Sequence, residues 1–149
     1  MQRQLTIGLL LMGLSVSMSG CGREAADEQD TGVSELAGTS WRLVKIQSMD
    51  DTEYVPEDSS KYTLALQADG SAAIRADCNR GKGTYNSESP SQLQFGPIAS
   101  TKALCPPDSL HDVYLRQFEW VRSYVLKDGH LYLATMADGA IIEFEPVSP

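Results

Sequence analysis

Residues 75–86, RADCNRGKGTYN, gather the side chains most suggestive of chemistry: two glycines around a lysine, a threonine, two arginines and a cysteine. The obvious chemistry is a phosphate loop, in which backbone amides and a lysine cradle an anion. That motif needs a glycine five residues before its Gly-Lys pair and a Ser or Thr straight after the lysine. Here Ala76 and Gly83 occupy those places. Strand-forming residues flank the stretch on both sides, so no helix N-terminus is expected to receive a phosphate. The spacing points to a tight hairpin instead.

Other candidates carry weaker signals. No Gly-x-Ser-x-Gly nucleophile motif is present. His111 is predicted on the polar side of a helix and His130 at the start of a strand, both as surface histidines. Asp112, Glu119, Glu143 and Glu145 read as solvated faces. Residues 47–60 hold five acidic side chains around Pro56. Calcium loops need closer oxygen spacing and a glycine hinge, so this segment reads as a solvated insertion. Trp41 and Trp120 are expected to pack rather than to line a ligand surface. Neither a metal nor a cofactor is expected.

The formal charge is -8 over 149 residues. A nucleic-acid binder needs phosphate-neutralising cations, which excludes that class. The same sign argues against docking on an anionic bilayer through a basic patch. The N-terminus places the chain elsewhere: MQRQ is followed by LTIGLLLMGLSVSM, free of charge. That run is shorter than the roughly 20 residues of a membrane span and has the parts of an export signal. MSGC then resembles the lipobox of bacterial lipoproteins, with Met18 where leucine is usual and Cys21 as the lipidated residue. Residues 1–20 are thus expected to be a lipoprotein signal peptide. Residues 21–35 follow as lipidated cysteine and flexible acidic tether, reaching about 20 Å. Gly22 after the cysteine favours the outer membrane, facing the periplasm.

Removing Cys21 leaves Cys78 and Cys105 in an oxidising compartment, which favours a disulfide between them. Buried free thiols, a metal site and a reactive thiol are the alternatives.

Positioning elements follow from periodicity. SWRLVKIQSM is rich in β formers, and KYTLALQA alternates with Tyr62, Leu64 and Leu66 on one face. Three Asp-Gly steps, at 69–70, 128–129 and 138–139, mark hairpins. Two-residue turns pair Tyr124 with Leu133 and Leu126 with Leu131 at the second, and Leu133 with Phe144 at the third. At the first, the same count puts Ile74 on the wrong face, which predicts a longer loop or a bulge. Leu110, Tyr114, Phe118 and Val121 have helical spacing, predicting one helix near 108–123 capped by Asp108 or Ser109. Six short strands precede it and at most three follow.

These segments together resemble the META domain, the family of HslJ-like heat-shock lipoproteins. LAGTSWRLVKI with Trp41, DCNRGKGTY with Cys78, Asn79, Gly83 and Tyr85, and IASTKALC with Thr101 and Cys105 carry the resemblance, with SYVLKDGHLYL. Asp77 stands where glycine is usual. The match covers about residues 36–146. It implies an α+β domain, mainly β: an antiparallel sheet of about eight strands curled into a half-open barrel, with one helix packed across it. It implies no established catalytic activity, and loose ties to envelope stress. The expectation is a monomeric, non-catalytic module, held to the membrane by lipid at Cys21, that binds an envelope protein or peptide. The opposing expectation is an envelope hydrolase with its site in the barrel groove.

Overall fold

The computed structural model describes residues 35–88 and 90–148. The leader, Cys21 and all but the last residue of the tether lie outside them.

Among the described residues ten strands and one α-helix follow one another. They are β1 (Thr39–Ser48), β2 (Glu53–Tyr54), β3 (Tyr62–Leu66), β4 (Ser71–Ala76), β5 (Asn79–Asn86), β6 (Gln94–Phe95) and β7 (Ala99–Ser100). After them come α1 (His111–Trp120), β8 (Val121–Lys127), β9 (His130–Thr135) and β10 (Ala140–Pro146). Seven strands thus precede the helix instead of six, because tertiary pairing creates two-residue strands that no propensity announces. The sheet runs β6-β5-β4-β3-β1-β10-β9-β8, with β2 folded back on β1 and β7 laid on β5. Its two edges meet: Gln92 bridges Ser123, the Leu93 amide donates to the Arg122 carbonyl at 3.2 Å, and the Tyr124 amide donates to Ser91 at 2.9 Å. The result is a nearly closed antiparallel barrel with one helix.

Alternation fills the barrel. Tyr62, Leu64 and Leu66 of β3 are buried together, as are Leu131 and Leu133 of β9 with Ile142 and Phe144 of β10. Burying each such side chain contributes about 1.5–3 kcal/mol.

The three Asp-Gly steps make three different turns. Asp128 and Gly129 both adopt positive φ (53° and 79°), giving the two-residue turn with Tyr124 opposite Leu133 and Leu126 opposite Leu131. At the first step only Gly70 is positive (φ 81°), and the chain closes a three-residue loop that returns Ile74 opposite Leu64. At the third step the expected register fails: Leu133 faces Ile142, and Phe144 faces Leu131. Ala137 takes the positive φ (55°) there and kinks the turn Met136–Asp138, while Gly139 after it is right-handed. The Thr135 hydroxyl accepts from the Ala140 amide at 2.7 Å and closes this wider loop. A shift of two residues keeps the same side chains inward, so the core is unchanged.

The helix is shorter than its apolar stripe suggested, beginning at His111 and stopping at Trp120, where Val121 turns extended (φ -58°, ψ 134°) and opens β8. Its N-cap is Leu110, which cannot cap through a side chain, in place of Asp108 or Ser109. Ser109 still contributes: its hydroxyl accepts from the His111 amide at 3.3 Å, and Tyr62 accepts from the Leu110 amide at 2.9 Å. The stripe itself enters the barrel, with Tyr114 and Phe118 fully buried. Tyr114 meets Tyr62, Phe118 and Phe144 at ring separations of 5.7, 5.1 and 6.2 Å.

The Tyr114 hydroxyl, however, is buried without a hydrogen-bond partner among the described residues, and burial pushes its pKa well up. An unpaired buried hydroxyl costs about 1–3 kcal/mol. Tyr114→Phe is therefore expected to stabilise the domain by about 1 kcal/mol in urea unfolding. A lower midpoint for the variant would show that the hydroxyl is paired in solution.

Candidate functional site

The hairpin joining β4 and β5 places the chemistry-rich stretch. Asp77 takes φ 56°, the left-handed conformation that glycine favours. Asn79 follows, only 2% exposed, and its amide organises the segment ahead of the helix. Its Oδ1 accepts from the Thr101 hydroxyl and the Ala103 amide, both at 2.8 Å. Its Nδ2 donates to the Ala103 carbonyl at 3.1 Å and to Cys105 Sγ at 3.3 Å. The Arg80 amide in turn donates to the Thr101 hydroxyl at 3.0 Å. A disulfide joins Cys78 to Cys105 with the Cα atoms 5.6 Å apart. Amide hub and disulfide thus clamp one segment, residues 101–105, onto the start of β5.

The glycines serve close approach. A Cβ on Gly83 would lie 2.5 Å from Ile98 Cδ1 and 2.9 Å from the Pro97 carbonyl oxygen. Gly81 is crowded by the same Ile98 and by Ile74 and Leu115. Lys82, between them, is exposed on the other side of the strand. Tyr85 is half-buried and donates to the Gln67 carbonyl at 2.8 Å. Trp41 is buried in the core, its indole N–H on Thr39 Oγ1 at 2.7 Å, whereas Trp120 is 47% exposed.

What this clamp leaves open is a groove between α1 and residues 95–107. One part, about 540 Å³, has an apolar floor of Phe95, Pro97, Ile98 and Leu115, with Lys102 and Arg116 at its rim. A second part, about 420 Å³, runs past the disulfide to Ser109 and His111. Both share Lys102, Asp112 and Leu115, and Leu104 stands fully exposed beside them. The sequence singled out none of Ile98, Lys102, Leu115 and Arg116. The only available signal was the Gly-x-Gly spacing, which requires some bulky neighbour to lie against it.

At the end of this groove Ser109, His111 and Asp112 lie together. His111 Nδ1 is 3.2 Å from Ser109 Oγ, and Nε2 is 3.4 Å from Asp112 Oδ1. The order serine, imidazole, carboxylate invites a hydrolytic reading. Its geometry is that of a helix start: Ser109 accepts from the His111 amide and lies 3.3 Å from the Tyr62 hydroxyl. The Asp112 side chain is 80% exposed, so no packing fixes its carboxylate behind the ring.

His130 Nδ1 lies 2.9 Å from Glu143 Oε1, which accepts from it, on the outer face of β9 and β10. Among the described residues, no three His, Cys, Asp or Glu side chains gather as metal ligands.

A sequence model of the META domain matches residues 34–148. Curated proteins offer no match. Among solved structures, an NMR structure of a protein from Burkholderia xenovorans is similar at a TM-score of 0.63 and 21% identity, covering 76% of this chain and 85% of that one. A crystal structure of a DUF4847 family protein from Bacteroides vulgatus is similar at a TM-score of 0.53 and 13% identity, covering 74% and 94%. At these identities the two structures speak for the fold.

Proposed function

The chain belongs to the META domain family, and from that membership we propose a lipid-anchored, non-catalytic binding module of the bacterial cell envelope. One observation carries the binding part. The family's polar and covalent residues, Asn79, Thr101, Cys78 and Cys105, are spent on holding residues 101–105, and the groove they define has an apolar floor with charges at its rim. Such a surface suits an extended peptide: apolar side chains on Ile98 and Leu115, charges on Lys102, Arg116 and Glu119. Asp112 and Glu119 sit seven residues apart on α1, about 10 Å along its axis. They bracket a ligand rather than sharing one reacting atom.

A photo-crosslinking residue at Leu115 tests this, with one at Tyr132 on the far side as control. A defined envelope partner enriched from Leu115 alone, and competed by the purified partner peptide, is the expected result. Equal labelling from both positions counts against the groove.

The anchor rests on the export-signal and lipobox pattern ending at Cys21. Cys21→Ser is expected to move the protein out of the membrane fraction, read by fractionation and blotting. Unchanged membrane attachment counts against lipidation.

A further inference from the structure

Cations are the minority charge in this chain, 12 against 20 acidic residues, yet three stand together on the outside of the barrel. Strand register builds the group. Thr63 lies opposite Arg75, and Arg75 opposite Arg80. In the next row Ala65 faces Ala73, Ala73 faces Lys82, and Lys82 faces Ala99. Paired residues share a face of a sheet, so the three cations rise from a floor of alanines and threonine. Their strand neighbours Ile74 and Gly81 are buried on the inner side.

The first row continues to Arg42 and Glu145, and there it is neutralised, with Arg42 Nε 2.6 Å from Glu145 Oε1. Among the described residues no carboxylate forms an ion pair with Arg75, Arg80 or Lys82. Arg80 is steadied by the Asp77 and Asn79 carbonyls, each at 3.0 Å. Arg75 reaches the Ser60 carbonyl at 3.5 Å, while its Nε is buried and unpaired. Two carboxylates border the patch. Asp77 lies 3.9 Å from Lys61, and Asp58 accepts from the Ser60 amide and hydroxyl, which with the weaker pull of Lys61 and Arg75 hold its carboxyl below the usual range. Like charges directly opposite each other weaken a sheet. An anion bridging Arg75 and Arg80 removes that penalty.

We infer that this face of β3, β4 and β5 rests on the phosphates of an anionic lipid surface. The inference builds on the anchored reading above, in which a lipid at Cys21 keeps the domain beside the headgroups. A guanidinium fork matches phosphate geometry. The small side chains between the cations leave the face free of the aromatic or large apolar anchors on which protein interfaces centre. The net charge of -8, which taken as a whole weighs against such a contact, acts on the surface only over a Debye length of about 10 Å. Only the groups nearest the surface count. Because Gly81 and Gly83 face inward beneath Lys82, the contact leaves the groove beside α1 turned away from the bilayer.

The test uses the full chain, purified from membranes and carried in nanodiscs of phosphatidylcholine with or without phosphatidylglycerol. A headgroup spin label broadens nearby amide resonances. Loss of the signals of residues 72–76 and 79–84 in the phosphatidylglycerol discs is expected, with those of residues 131–134 and 141–145 retained and recovery at high salt. The variant Arg75→Gln/Arg80→Gln/Lys82→Gln, its fold checked by unchanged dispersion elsewhere, is expected to lose this selectivity while staying on the disc. Uniform broadening, or selectivity that survives in the variant, overturns the inference. A chain that fails to associate with either disc refutes the anchor itself, and is thereby told apart from a chain that is anchored but unoriented.

Discussion

Asn79→Ala is expected to destabilise the domain by about 3 kcal/mol in urea unfolding, a large effect for one uncharged side chain. The amide makes two hydrogen bonds as acceptor and two contacts as donor, all to residues 101–105. Each ordinary bond contributes about 1 kcal/mol net, and the partners left behind regain only part of that from water. The loss falls on the folded state: the Ala103 amide, whose acceptor has gone, should exchange with solvent faster in the variant. Asn79→Asp separates the two halves of the hub. The new carboxylate still accepts from Thr101 and Ala103 but faces the Ala103 carbonyl and Cys105 Sγ, where a donor is needed. Its folded-state pKa is therefore expected above the unfolded value. For such a group the stability is fully present below the unfolded pKa and is lost as pH rises through the folded one. The variant should thus approach the parent at low pH and fall behind at neutral pH. A variant with parental stability at neutral pH would remove Asn79 from the role assigned to it.

How much of this was legible beforehand depends on what each feature needs. Alternation in β3 and the stripe of α1 are local patterns, and Tyr62, Leu64, Leu66, Tyr114 and Phe118 are buried as those patterns require. The helix end was not legible, because Val121 points inward whether it ends a helix or opens a strand, and its extended backbone follows from pairing with Thr135. Residue type alone also misjudged the third hairpin: Asp-Gly is permissive of positive φ, yet Ala137 adopts it and Thr135 closes the turn. The motif around Cys78 and Asn79 was visible as a motif, but its purpose needs residues 101–105 brought alongside. Two-residue strands such as β7 exist only by that pairing. The groove and the cationic face were hidden for a related reason. Arg75, Arg80 and Lys82 are interrupted by Asp77 in an acidic chain, and only the cross-strand register makes them neighbours.

Replacing both bridge cysteines, Cys78→Ala/Cys105→Ala, is expected to lower stability by about 3–4 kcal/mol, by a different route from Asn79→Ala. The bridge spans a sequence separation of 27 that includes β5, β6 and β7. On the chain-entropy account, closing such a loop restricts the unfolded chain more than it adds contacts to the folded one. Cutting it frees the unfolded ensemble to expand and expose more surface. The urea midpoint should fall while the m-value rises. The hub remains in place in the folded state, so the Ala103 amide should keep its native exchange behaviour under conditions where the variant is still folded. Asn79→Ala should show the opposite signature, an unchanged m-value with a locally opened segment. Since both devices hold residues 101–105, combining them is expected to cost more than the sum, because the remaining clamp no longer limits the motion released by the first. Simple additivity would mean that the disulfide and the amide hub stabilise the segment independently. Parental stability in the double cysteine variant would mean that the bridge does not contribute to the fold.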